Sequence, residues 1–184
     1  MKRIELYMID GMIHAKEDDR SFVVNESARD FIDKVLNVIK DNYPITYKSL
    51  DEYYKDSALN KPYHKFRIVN RFLKCNFAKL DTTHYDIETD KGDMVMNFEN
   101  VDCPLKDECK LKGIVCMPKF NSNLSNRELE VAKLWLDGLD AESIAEKLYL
   151  STDTVKNHVR NIYDKIGVHT KMDFAKYMIR HNIY

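Results

Sequence analysis

The chain has 184 residues, of which 44% are hydrophobic and 11% aromatic; that excludes a disordered tail and allows one medium domain or two small ones. Its formal net charge is -1, so bulk attraction to nucleic acid is excluded, and any such surface must come from local segregation of charge. The N-terminal MKRIELYMIDGMIHAKEDD has no long apolar stretch, and no apolar run approaches the ~20 residues that span a bilayer. A soluble, cytoplasmic protein with no membrane partner is expected. In that compartment four cysteines argue for a metal site or free thiols rather than disulfides.

Taken in chain order, Lys2 to about Val24 mixes short apolar runs with Gly11 and predicts two short strands. A helix follows, capped by Asn25 or Ser27, with Phe31, Val35, Leu36 and Ile39 at helical spacing. Pro44 ends that region, and Ser49 to Ala58 predicts a short helix. Pro62 opens another, with Phe66, Val69, Phe72 and Leu73 as its apolar face, and this helix delivers Cys75. Strand-like and polar character continues through Met94 to Val101. The segment CPLKDECKLKGIVC, Cys103 to Cys116, comes next, and Pro118 with Asn121 to Asn123 reads as a linker.

Four helices are expected beyond the linker. Ser125 and Glu128 form a capping box, and Gly138 stops the first helix. Asp140 caps the second, which turns Ile144, Ala145 and Leu148 inward. Tyr149, Leu150 and Ser151 make a short turn, Ser151 caps the third helix, and Thr170 with Asp173 caps a fourth that ends near Ile179. In the third helix, around 152–166, Val155, Val159, Ile162 and Ile166 form one stripe that must face a core. The opposite side carries Asp153, Asn157, Arg160 and Asn161, with Lys156 on the flank. Basic residues gather from Lys156 to Arg180 (Lys156, Arg160, Lys165, Lys171, Lys176, Arg180), while the two preceding helices are rich in acids. Periodicity alone leaves open a plain four-helix domain with solvated charges.

The stretch LSNRELEVAKLWLDGLDAESIAEKLYLSTDTVKNHVRNIYDKIGVHTK resembles the LuxR/GerE pattern almost end to end, over about a third of the chain. The resemblance implies a helix-turn-helix that binds double-stranded DNA in a bacterial or phage-infected cell. It implies that Lys156, Asn157 and Arg160 read the major groove, where Arg and Lys pair with guanine and Asn with adenine. Thr154, Lys165 and Lys171 would contact the backbone. Glu128 matches the family's buried structural acid. At Lys171 the family usually has Arg, so the charge is kept and the bidentate fork lost. The last helix often mediates dimerisation in the family, and Lys176, Tyr177 and Arg180 are the residues available for a homodimer.

Cys75, Cys103, Cys109 and Cys116 are all the cysteines. As a set they suit a structural zinc ion held by four thiolates, whose charge Lys74, Lys79, Lys106, Lys110, Lys112 and Lys119 would offset. An iron–sulfur cluster, and reduced or redox-active cysteines, are the competing readings. His84 is a loop histidine that could replace one ligand. His158 suits packing or phosphate rather than metal. Glu17, Asp18 and Asp19 resemble a receiver's acidic pair only superficially and read as a solvated turn.

The fold expected is therefore mainly α. Residues 1–118 form a helical module with short strands and a four-cysteine site, 119–123 a linker, and 124–184 a LuxR-type helix-turn-helix domain. The function expected is a sequence-specific transcriptional regulator and not an enzyme, since no phosphate-cradling loop or nucleophile–base pair is evident. The alternatives are a redox or iron sensor built on the cysteines, and a protein-interaction adaptor contacting RNA polymerase.

Overall fold

The computed structural model describes residues 2–18, 20–77, 85–90, 93–181 and 183. The chain forms two compact units, Met1–Lys119 and Phe120–Tyr184. Among the described residues no helix is long and apolar enough to cross a membrane.

The first unit opens with three strands, β1 (Lys2–Ile9), β2 (Met12–Glu17) and β3 (Arg20–Val23). Asp10 and Gly11 join the first two. Both have positive φ, 50° and 74°, and Ile9 lies opposite Met12, which is the geometry of a two-residue hairpin loop of the primed type. Later in the chain β4 (Ile87–Asp90) pairs with β1, and β5 (Asp93–Met96) pairs with β4. The result is one antiparallel sheet in the order β3-β2-β1-β4-β5. Leu6 opposite Ala15 and Ile4 opposite Ile87 are buried pairs within it. Where β4 begins, the buried Asp86 carboxylate accepts the Leu6 backbone N–H at 2.6 Å.

This changes the organisation expected for the N-terminal half. The helices are present, but they accompany a five-stranded sheet rather than two short strands. The strands β4 and β5 have four residues each, too few to display an alternation, and their pairing with β1 is remote in sequence.

The helices of this unit are α1 (Arg29–Asn42), α2 (Pro44–Tyr53) and α3 (Lys61–Asn76), with a 3-10 turn at Lys55–Ser57. α1 buries Ile32, Val35, Leu36 and Ile39, the spacing of one helical face. Its cap position is Ala28, with no side-chain bond; Asn25 instead accepts the Ser27 N–H at 2.9 Å in the turn before it. α1 ends at Asn42, just before Pro44, as the sequence predicts, with Tyr43 out of the helical region; Pro44 also stands at the first turn of α2, where its missing N–H costs no hydrogen bond. Asn60 caps α3, which buries Ile68, Val69, Phe72 and Leu73. α1 packs on α3, and α3 on β2. Tyr43, Phe72, Phe77 and Phe98 form an aromatic cluster, with the Phe98 ring 5.4 Å from both Tyr43 and Phe77.

At the α2–α3 corner His64 Nε2 is 3.0 Å from Asp51, and Nδ1 is 3.1 Å from the Tyr54 carbonyl and 3.0 Å from Ser57 Oγ. The Ser57 hydroxyl also lies 2.8 Å from the same Tyr54 carbonyl. The grouping joins two helices.

The cysteine-bearing segment is held by two side chains. Thr46 Oγ1 donates to the Ile114 carbonyl at 2.7 Å. Asn76, fully buried, donates through Nδ2 to the Phe72 and Val115 carbonyls, both at 2.9 Å, and its Oδ1 accepts the Met117 N–H at 3.0 Å. Asn76→Leu removes all three bonds at nearly constant volume. It is expected to destabilise the first unit by roughly 2–4 kcal/mol. Far-ultraviolet circular dichroism in guanidinium should show an earlier transition, while the fluorescence of Trp135, which lies in the second unit, keeps its midpoint.

Candidate nucleic-acid interface

The second unit consists of α4 (Asn126–Leu136), α5 (Ala141–Leu148), α6 (Thr152–Ile166) and α7 (Lys171–Arg180). Each starts as its sequence predicts: Ser125, Asp140, Ser151 and Thr170 accept the backbone N–H of Glu128, Ser143, Thr154 and Asp173. Gly138, at φ 90°, follows α4, and Gly167, at φ 70°, ends α6. Val131, Ala132, Ile144, Ala145, Val155, Ile162, Phe174 and Met178 form the core, with Val159 and Ile166 packed at its edge. The stripe on α6 therefore faces inward.

Two interactions fix α5 and α6 against α4. Arg127 donates to the Leu148 carbonyl at 2.5 Å, at the end of α5, while its other nitrogen meets Glu130 at 2.6 Å. Glu128, nearly fully buried, accepts from the Ser125 N–H at 2.7 Å, the Ser125 hydroxyl at 2.8 Å and Lys165 Nζ at 2.6 Å. The Lys165 ammonium, helped by the Ser125 hydrogen bonds, holds the Glu128 carboxyl far below the usual range, at about 2.

The turn from α5 to α6 is Tyr149, Leu150 and Ser151. Tyr149 takes the left-handed conformation, φ 54°, and the Leu150 N–H returns to the Ala145 carbonyl at 2.9 Å. Beyond it Asp153, Lys156, Asn157, Arg160 and Asn161 are exposed along α6. Lys156, Asn157 and Arg160 thus share the outward face of its N-terminal half. Thr154 is half-buried in the first turn, its hydroxyl 2.8 Å from Ser151 Oγ. Lys171, the first residue of α7, is exposed, and its ammonium sits 4.3 Å from the centre of the Trp135 ring. Trp135 in turn donates to the Tyr163 hydroxyl at 3.2 Å. Lys165 is placed differently from the other cations: a phosphate there would share its ammonium with Glu128.

On α7, Lys176 and Arg180 are exposed, while Tyr177 packs on Phe120 with ring centres 6.2 Å apart. Phe120 also stacks on His181 at 4.1 Å. It comes from the stretch read as linker and serves the second unit's packing. His158 is half-buried on α6.

In the first unit the four cysteines are free and half-buried. Among the described residues no three His, Cys, Asp or Glu side chains are drawn together as a metal centre, so the expected tetrahedral zinc geometry is not formed. The Cys75 thiol lies within electrostatic reach of Cys116 and Cys109; burial, ahead of these neighbours, pushes it up to about 12. Arg71 donates to Cys109 Sγ at 3.3 Å, a partner that spacing in the sequence does not reveal. Asp19, Lys79 and His84 lie outside the described residues.

A capped helix, a short turn and a second helix with an exposed polar half define a helix-turn-helix unit. Residues 122–178 match the family described as bacterial regulatory proteins, luxR family (GerE), so the chain carries a helix-turn-helix domain of that family. It is similar to the transcriptional regulatory protein LnrK of Bacillus subtilis (strain 168), 42% identical over 80 residues, covering 42% of this chain and 36% of that protein. It is also similar to the Fimbriae Z protein of Escherichia coli (strain K12), 43% identical over 54 residues, covering 29% and 26%. The oxygen regulatory protein NreC of Staphylococcus aureus (strain JH9) is 39% identical over 57 residues, covering 31% and 26%. The chain thus spans little more than a third, or less, of the length of these relatives.

The Glu128 site makes a pH prediction. An unfolded chain takes up a proton on this carboxyl near the ordinary value, about 4.3, before the folded one does. The stabilisation is therefore complete above about pH 5 and drains away as the pH falls toward about 2. Melting followed by Trp135 fluorescence should show wild type losing stability across this window and Glu128→Gln losing less. At neutral pH, Glu128→Gln should cost roughly 1–3 kcal/mol.

Proposed function

We propose that this chain is a sequence-specific DNA-binding transcriptional regulator whose α6 enters the major groove. The observation that carries the reading is the exposed face of Lys156, Asn157 and Arg160, rigidly backed by the buried Val155 and Ile162 and preceded by a short turn. Forked and amide side chains at the start of such a helix match base edges: Arg160 and Lys156 suit guanine, and Asn157 suits adenine. Thr154 beside the α6 N-terminus and Lys171 at the start of α7 suit phosphate, which sets register without reading sequence. Lys165 contributes to the same field from its place beside Glu128. The family match and the names of the similar proteins support this reading.

The protein as a whole carries a net charge of -1, so one copy has little electrostatic surplus to spend on DNA. A homodimer through α7, whose Met172, Lys176, Ile179 and Arg180 are all exposed, supplies a second half-site contact.

The test begins with selection of a preferred site from random duplexes, followed by fluorescence anisotropy across a salt series. Arg160→Ala should lose about 1–3 kcal/mol on the selected site and relax the preference at one base pair. Lys171→Ala should weaken selected and random duplexes alike and lower the salt slope by about one. Selection that yields no preferred sequence at any salt concentration contradicts the proposal.

A further inference from the structure

The first unit holds a chemical grouping that DNA binding does not use. Cys75 lies in the last turn of α3, and Cys116 sits in the segment that Asn76, the residue after Cys75, clamps in place. The Asn76 bonds to Val115 and Met117 flank Cys116 on both sides, so the fold holds Cys116 beside the end of α3 that carries Cys75. Cys109, from the same segment, lies near Cys75 and against Arg71. One turn before Cys75 on α3, Arg71 brings a guanidinium to these sulfurs, and its Nε is buried without a hydrogen-bond partner.

A buried, unpartnered nitrogen on a guanidinium that donates to Cys109 and lies within electrostatic reach of Cys75 calls for negative charge there. Neutral thiols do not supply it. A Cys75–Cys116 disulfide would supply none either and would consume two of the sulfurs. Three or four thiolates around one divalent ion do supply it, because the complex keeps a net negative charge after metal binding. We propose that Cys75, Cys109 and Cys116, with Cys103 of the same segment as the fourth ligand, bind one soft divalent metal ion as thiolates, zinc foremost, with Arg71 as the built-in countercharge. Binding replaces the thiol protons with the ion and draws the sulfurs into a tetrahedron, releasing the protons to solvent. Arg71 is a positioning residue: it touches a ligand sulfur, not the metal.

The test uses the full chain, untagged, purified without chelator from zinc-supplemented cells. Elemental analysis should find about one zinc per chain, with little iron and no acid-labile sulfide. Cobalt added to metal-free protein should give the intense visible bands of a tetrahedral site and a thiolate-to-cobalt charge-transfer band. Cys109→Ser should lose these bands, and Arg71→Met should keep them but release zinc to a chromophoric chelator about 10–100-fold more readily. Should Cys109→Ser fold poorly, chelation of wild type serves instead: it should lower the thermal midpoint of the first unit, and zinc alone should restore it. Absence of metal with all four thiols reactive overturns the proposal, as does an oxidised Cys75–Cys116 pair in freshly purified protein. Iron with sulfide overturns the assignment to a single ion. A cobalt spectrum unchanged in Cys109→Ser overturns the ligand set.

Discussion

The Glu128 carboxylate is the point on which the second unit turns. It lies in the first turn of α4, takes both hydrogen bonds of Ser125, and reaches Lys165 in the last turn of α6. Unpaired, such a buried charge would cost several kcal/mol, so α4 and the far end of α6 cannot separate without penalty. Val155 and Ile162 anchor the rest of α6 in the core. With both anchors in place the helix has no freedom to roll. A slip of one residue, about 100° around the axis, would carry Arg160 toward the core and Val159 toward solvent. The outward placement of Lys156, Asn157 and Arg160 thus follows from a carboxylate that is itself buried between α4 and α6.

That dependence also sorts the cations. A sequence shows Lys156, Arg160, Lys165 and Lys171 as equivalent positive charges. In the fold they are not: Lys165 is spent on Glu128 and Lys171 lies over Trp135, whereas Lys156 and Arg160 project from α6 with exposed side chains. A near-neutral domain presents exposed cations on the outer face of α6 because its charges are divided among these duties, not because it carries an excess of them.

What the sequence disclosed follows the range of the interactions involved. The second unit was legible because its determinants are local: a cap and its bonded N–H lie three residues apart, and the α6 stripe repeats within one helix. The first unit was less so. Its α1 and α3 faces were readable by the same periodicity, but β1 pairs with β4 across the three intervening helices, a partnership no window of residues contains. Pro44 was legible as the stop after α1, but not as the start of α2, since a proline that breaks one helix can equally open the next. The cysteines were identifiable by type, yet Arg71 and the Asn76 clamp were not, since both act through the approach of α3 to a segment dozens of residues later.

The most direct measurement is a titration of the isotopically labelled protein with its selected duplex, followed by amide and side-chain NMR shifts. The account predicts that perturbations concentrate on the first half of α6, from Thr154 to Arg160, and at Lys171, with α4 nearly silent. Perturbations centred on the acidic surfaces of α4 and α5, or uniform small shifts at every duplex tested, would contradict it.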